Sequence, residues 1–314
     1  MAESSRVGEI SGDFERLVAP LVSGLRAHCY RMLGSVHDAD DAVQETLLRA
    51  WRGMERFEGR STLRTWLYTI ATRVCIDATA ARGRRALPID LTPASERVED
   101  SMPAAETAWL GPFPDDPADV YGRRNAVELA FVAALQHLPG NQRAALLLFD
   151  VLGFPVAEIA TMMRTSTTSV NSALARARRL LAARLGDDPP EHDDEAAIAL
   201  ARRFAAALQD GDLDGFVALL TDDVTWAMPP LPHWYQGRRA VTEFAAAVPM
   251  SPRCPSWQYR LVRANARPAV AFWLGPEPGA PHEPWSLTVL DTRDGRISGL
   301  TSFLDATVLD AFGL

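Results

Sequence analysis

The sequence predicts a multidomain protein: two all-α modules, the second containing a helix-turn-helix, followed by an α+β module. Three observations carry this. Residues 11–86 and 122–186 place apolar side chains at intervals of three and four behind capping residues. Within the second stretch, residues 155–180 read as two helices joined by a tight turn. From residue 257 onward the pattern changes to short runs rich in β-branched and aromatic residues.

Composition agrees with ordinary globular cores. The 314 residues are 47% apolar and 23% charged, which excludes the disordered and fibrous classes. No apolar run approaches the roughly 20 residues of a membrane span. Residues 1–12 lack the basic-then-apolar order of a secretory signal. Cys29, Cys75 and Cys254 lie far apart and form no CxxC pair, as expected of free thiols in a reducing cytoplasm, and no zinc site is supported.

The net charge of −8 is unevenly spread. Residues 1–186 hold 22 Arg and 22 acids, whereas residues 187–314 hold 10 Arg and 18 acids. Within the first part, residues 44–86 carry 9 Arg against 4 acids, and residues 140–186 carry 6 against 2. Residues 87–139, between them, carry 3 Arg and 9 acids. Two basic islands around an acidic linker suit two DNA contacts, because phosphate neutralisation supplies sequence-independent affinity.

In the first module, Ser35 and Asp38 form a capping pair ahead of a helix whose inward face is Val43, Leu47, Ala50, Met54 and Phe57. Gly59 to Ser61 interrupts it. Ser61 is placed to cap a second helix with the inward stripe Leu63, Leu67, Ile70 and Val74. Residues 87–121 hold six prolines and no periodicity, so they read as a linker, with Trp109, Leu110 and Phe113 available to pack on a neighbouring surface. The second module reads as helices over 127–137, 142–151, 156–163 and 167–185. Six acids and two prolines in residues 187–195 mark a boundary. The third module, 194–314, opens with a helix over 195–209 and a short helix. A curved antiparallel sheet with strands at 257–264, 269–274, 285–291 and 297–304 follows, with Asp294-Gly295 as a hairpin turn.

The helix-turn-helix carries the sharpest chemistry. Ala160 is the small residue a helix crossing needs, Ser166 caps the second helix, and Ile159, Met163, Val170 and Leu174 supply the core between the two. Thr167, Thr168, Ser169, Asn171 and Ser172 then face outward, able to bond base edges, and Arg176, Arg178 and Arg179 follow for the backbone. Leu138-Pro139, Gln142-Arg143, Gly153, Glu158-Ile159-Ala160 and the stretch to Arg176-Ala177-Arg178 resemble the fourth region of sigma-70 family factors, which recognises the −35 promoter element. Two positions depart from it. Arg164 stands where the turn usually has Gly, so it must turn left-handed or shift the turn, and Pro155 replaces a capping Ser or Thr.

The first module resembles the same family independently. The run Asp38-Ala39-Asp40-Asp41-Ala42-Val43-Gln44-Glu45-Thr46-Leu47-Leu48-Arg49-Ala50-Trp51 is similar to the second region of extracytoplasmic-function sigma factors. That resemblance implies docking on the β′ clamp helices of core RNA polymerase through Asp38, Asp41, Gln44, Glu45, Leu48 and Arg52. The second module would meet the β flap. Phe57-Glu58-Gly59-Arg60-Ser61-Thr62-Leu63-Arg64-Thr65-Trp66-Leu67 is similar to the segment that opens the −10 element, with Arg60, Thr62, Arg64, Trp66 and Arg73 as candidate contacts to a flipped base and exposed strand. The acidic linker would thread the polymerase's nucleic-acid channel. Promoter DNA and core polymerase are the implied partners, with no cofactor, no metal and no membrane.

Residues 194–314 resemble the SnoaL-like, nuclear-transport-factor-2-like cone fold through Gly211-Asp212-Leu213-Asp214, residues 219–226 and Trp234-Tyr235-Gln236-Gly237. The combination resembles the SigG-like group of sigma factors. Such a fold implies a pocket, expected here to be lined by Trp226, Met228, Trp234, Tyr235, Phe244, Phe272, Trp285 and Phe303 and open to a small apolar ligand. Catalysis would need an acid–base pair, and the candidates Asp305, His282 and His233 are not brought together by the sequence, so a regulatory domain is the expectation. Two other classes compete. A plain helix-turn-helix repressor leaves residues 38–66 unexplained, and a regulator fused to a SnoaL-like small-molecule enzyme needs the missing acid–base pair.

Overall fold

The computed structural model describes residues 2–99, 102–104, 107–115, 128–185 and 194–314. The boundary expected at 187–195 and the linker's end at 116–121 fall largely outside these. The described parts of residues 2–84 and 128–185 form one compact unit, and those of 85–115 and 194–314 form another.

The first unit is all-helical. Helices α1 (Ala2–Leu33), α2 (Val36–Gly53) and α3 (Leu63–Arg82) pack on one another around Leu25, Met32, Ala39, Val43, Leu67 and Ala71. Ser35 caps α2, its hydroxyl accepting from the Asp38 amide at 3.3 Å. The cap of α3 is Thr62, not Ser61, because the Thr62 hydroxyl accepts from the Thr65 amide at 3.1 Å. The buried face of α2 is rotated from the expected one. Ala39, Ala42, Val43, Thr46 and Ala50 are inside, while Leu47, Met54 and Phe57 are only half-buried. Small residues let α2 approach its neighbours closely, which places the bulkier Leu47 at the edge.

The second half of this unit comprises α4 (Leu129–Gln136), α5 (Gly140–Leu146) continuing into a π turn over Leu147–Val151, α6 (Val156–Met162) and α7 (Thr167–Leu185). Leu135, Leu147, Ile159, Val170 and Leu174 form its core. Met162 rather than Met163 is the buried methionine of α6. Arg143, 2% exposed, fastens the two halves of the unit. It donates to the carbonyls of Met32, Gln136 and Leu138 and to the Gln136 side chain at 2.7 Å. Burial lowers its pKa to about 10, so it stays charged and hydrogen-bonded rather than ion-paired.

The second unit wraps a six-stranded sheet around helices α8 (Asp194–Asp210), α9 (Leu213–Ala218) and α10 (Arg238–Ala247). Strands β1 (Leu220–Ala227), β2 (Trp234–Gln236), β3 (Ser256–Ala264), β4 (Arg267–Gly275), β5 (Glu283–Arg293) and β6 (Arg296–Phe303) run in the order β2-β1-β6-β5-β4-β3, and α11 (Thr307–Asp310) closes the chain. The sheet is mixed rather than antiparallel, because β1 pairs parallel to β6. Asp294 and Gly295 both take positive φ in the turn between β5 and β6, as a tight hairpin demands. Phe204, Phe216, Trp226, Phe272 and Leu290 fill the concave face. Linker residues 85–115 belong to this unit. Leu110 and Phe113 are buried, and the Phe113 amide donates to the Asn265 side chain at 2.9 Å.

Candidate nucleic-acid interface and ligand pocket

The turn between α6 and α7 resolves the Arg164 question by geometry. Arg164 takes φ +52°, the left-handed conformation. The Arg164 amide bonds the Thr161 carbonyl at 3.2 Å and the Thr165 amide bonds Ala160 at 2.8 Å, a Schellman closure built without glycine. Ser166 then caps α7, accepting from the Ser169 amide at 3.1 Å. Thr167, Thr168, Ser169, Asn171, Ser172 and Arg176 are all exposed along the N-terminal half of α7. Arg179 leans on the Ala175 carbonyl at 3.4 Å. Arg178 is the exception. Its Nε donates to Asp150 at 3.0 Å, its guanidinium lies 5.3 Å from the Phe149 ring, and the Asp150 hydrogen bond raises its pKa.

The residues expected to act at a −10 element are arranged differently. Arg60 is exposed beside Glu58 at 2.9 Å. Trp66 is half-buried rather than core, stacked on Phe57 with ring centroids 4.8 Å apart. Both line a groove of ≈ 520 Å³ with Arg49, Arg56 and Arg73. Thr62 is spent on its cap. Arg64 donates to the Leu152 carbonyl at 3.0 Å and lies over the Phe154 ring at 4.4 Å. Arg73 donates to the Met162 carbonyl at 2.9 Å, and the Thr65 hydroxyl donates to Glu158 at 2.7 Å. Two turns of α3, at Arg64-Thr65 and at Arg73, therefore hold α6 and the segment before it.

On α2, Asp41, Gln44, Leu48 and Arg52 form an exposed stripe, and Asp38 and Glu45 are half-buried, Glu45 pairing with Arg49 at 2.6 Å. Leu48 at 40% and Trp51 at 42% are large apolar side chains left open beside this polar row. That is the mixture a partner helix needs.

In the second unit a cavity of ≈ 180 Å³ opens between α8, α10 and the concave face. Trp226, Met228, Phe244, Phe272 and Trp285 line it. Trp234, Tyr235 and Phe303 do not. Phe303 sits at the register position of Leu287, on the face opposite Ser286 and Thr288, because side chains alternate along a strand. Tyr235 instead stacks behind Phe244 at 4.7 Å, and the Trp234 indole donates to the Thr92 carbonyl at 2.8 Å. The three acid–base candidates have separate occupations. Asp305 accepts from Thr307, His282 bonds Ser256 at 2.9 Å, and His233 lines the cavity.

The Sigma-70 region 2 model matches residues 17–85, the Sigma-70, region 4 model matches residues 128–181, and the SnoaL-like domain model matches residues 201–300. The ECF RNA polymerase sigma factor SigG of Mycobacterium tuberculosis is 44% identical over 98% of this chain and 85% of its own. This chain belongs to the ECF RNA polymerase sigma factors. The M. tuberculosis sigma factor SigJ is 30% identical over 68% of this chain and 63% of its own. A crystal structure of M. tuberculosis SigJ matches with a TM-score of 0.62 at 22% identity, covering 94% of this chain and 98% of that one, which shows a shared fold. As a sigma factor the chain binds core RNA polymerase and promoter DNA and directs transcription initiation. No helix among the described residues is long and apolar enough to cross a membrane.

Sequence reasoning missed the polar end of the sigma factor's pocket, Ser286, Thr288 and Ser302, and the linker residue Glu99 at its wall. The alternation along β5 puts 286 and 288 on one face and was available as a signal. Nothing local to Glu99 links it to a strand more than a hundred residues away.

Proposed function

We propose that this sigma factor reads the −35 element with the N-terminal face of α7 and docks on the β′ clamp helices through the exposed stripe of α2, with its second sigma module meeting the β flap. The −10 element opens at the groove beside Trp66, and the SnoaL-like domain regulates the factor rather than acting as an enzyme. One observation carries the DNA reading. Behind the Ser166 cap, five polar side chains stand exposed on the leading turns of α7, the residue types that bond base edges in a major groove.

The contacts of Arg64, Thr65 and Arg73 with the helix-turn-helix support a second part of this reading. In the free chain Arg64 and Arg73 are engaged, so core polymerase must part the two modules before these two can meet DNA. Promoter affinity of the free factor is then weak. The regulatory role of the third domain rests on its pocket and on the separate occupations of Asp305, His282 and His233.

Run-off transcription with core polymerase tests the reading. The full chain should give a promoter-specific transcript, and its absence would overturn the promoter assignment. A chain ending near residue 190 should give a changed yield from the same promoter. Equal yields would remove the regulatory role and leave the DNA assignments standing.

A further inference from the structure

The cavity of the SnoaL-like domain is small and has two unlike ends. Its ≈ 180 Å³ lies a little above the ~150 Å³ of a protein cavity that holds benzene, and well below the ~300 Å³ where drug-sized sites begin. A single ring fits that volume. Trp226, Phe244, Phe272, Trp257 and Trp285 present aromatic surface to it, in edge-to-face pairs 5.0–6.2 Å apart.

The other end is polar. The Trp226 indole donates to the Ser302 hydroxyl at 2.9 Å, and Ser302 pairs with Thr288 at 2.8 Å, so those groups are satisfied internally. Ser286 shares their face of the sheet, lines the cavity and is only 4% exposed. Its hydroxyl has no hydrogen-bond partner among the described residues. That hydroxyl opens onto the cavity rather than being sealed in the core, so an oxygen of a molecule in the cavity can pair with it.

At the cavity's side runs a strap of linker chain whose described parts are residues 92–99 and 102–104. The Thr92 hydroxyl donates to the Pro232 carbonyl at 2.8 Å. The Ser95 amide donates to the Trp234 carbonyl at 2.8 Å, the Glu99 amide to the Tyr235 hydroxyl at 3.1 Å, and the Ala104 amide to the Pro230 carbonyl at 3.1 Å. Glu99 itself lines the cavity. Tyr235 stacks on Phe244, a wall residue, so a molecule pressing on Phe244 acts on the hydroxyl that holds Glu99. In the sequence this strap lies between the two sigma modules.

We propose that the pocket takes a single-ring aromatic molecule bearing one hydroxyl or carbonyl oxygen, of phenol size, with the oxygen on Ser286, and that its binding tightens the strap over the cavity. The proposal deepens the reading of this domain as a regulator and rests on it. Phenol and toluene, titrated calorimetrically into the full chain, are the probes. A merely greasy cavity favours toluene. The proposal expects phenol to bind about tenfold more tightly than toluene, the factor of one ordinary hydrogen bond, and Ser286→Ala to erase that difference. Saturating phenol should slow hydrogen exchange at the Ser95, Glu99 and Ala104 amides severalfold.

Equal affinities in the unmodified chain would overturn the oxygen assignment. Phenol binding with unchanged exchange would overturn the strap, and no phenol binding would overturn the ligand class. None of these outcomes touches the truncation result, so failure here and failure of the regulatory reading stay distinguishable.

Discussion

The two regions of this sigma factor proposed to face DNA carry similar residue types in opposite states. On α7, Thr167, Thr168, Asn171, Ser172 and Arg176 stand exposed. On α3, Arg64, Thr65 and Arg73 are already bonded to the carbonyls of Leu152 and Met162 and to Glu158. Hydrogen bonds in use must be broken before they can be remade to DNA, and each costs about 0.5–1.5 kcal/mol to exchange. One region is presented and the other is held. On the proposed reading, a step that activates the free factor acts on α3 and its partner turn rather than on α7.

The harshest way to break this arrangement is Arg143→Ala. Its guanidinium is buried and joins the end of α1, at Met32, to the end of α4, at Gln136, and to Leu138 in the loop before α5. Removing it leaves several acceptors unpaired and a cavity behind, a loss of about 3–5 kcal/mol. Urea unfolding of the variant should show it as a large fall in midpoint. Arg143→Lys should recover little, since a single ammonium cannot span the same fork of acceptors.

A gentler pair of variants sharpens the comparison. Asn171→Ala should leave stability within about 0.5 kcal/mol, as for an exposed surface site, while costing about 1–3 kcal/mol of promoter discrimination in transcription with core polymerase. Arg64→Ala should instead lower both. It loses the Leu152 carbonyl and the Phe154 ring as well as any DNA contact, about 1–2 kcal/mol of stability. Finding the two variants alike in thermal unfolding would remove the distinction between a presented and a held region.

How far the sequence carries depends on whether the relevant interaction is local. Helix caps and turns are local, and Ser35, Ser166 and the Asp294-Gly295 hairpin were legible from a few neighbouring residues. The pocket was half legible. Aromatic residues on β1, β4 and β5 could be guessed to face inward, but Phe303 falls on the outer face because the β5–β6 register fixes it there. The parallel β1–β6 pairing joins strands about seventy residues apart and has no local signature. The contacts of Arg64 and Arg73 join positions 88 and 89 residues apart, and nothing in the −10 motif announces them.

The smallest expected effect concerns the turn that separates the two states. Arg164 is exposed and holds φ +52°, a conformation that costs a residue with a Cβ about 1 kcal/mol or more and costs glycine almost nothing. The two Schellman hydrogen bonds, Arg164 to Thr161 and Thr165 to Ala160, use main-chain groups only and survive substitution. Arg164→Gly should therefore stabilise the helix-turn-helix by about 0.5–1 kcal/mol, after the extra freedom of glycine in the unfolded chain is subtracted. It also removes a positive charge that lowers the pKa of Arg73, second to burial as a cause. Thermal unfolding should thus show a small rise, with the contact between Arg73 and the Met162 carbonyl strengthened rather than weakened. A fall in stability would mean that the Arg164 side chain itself holds the turn, and the held state of α3 would then depend on the one position where this motif departs from glycine.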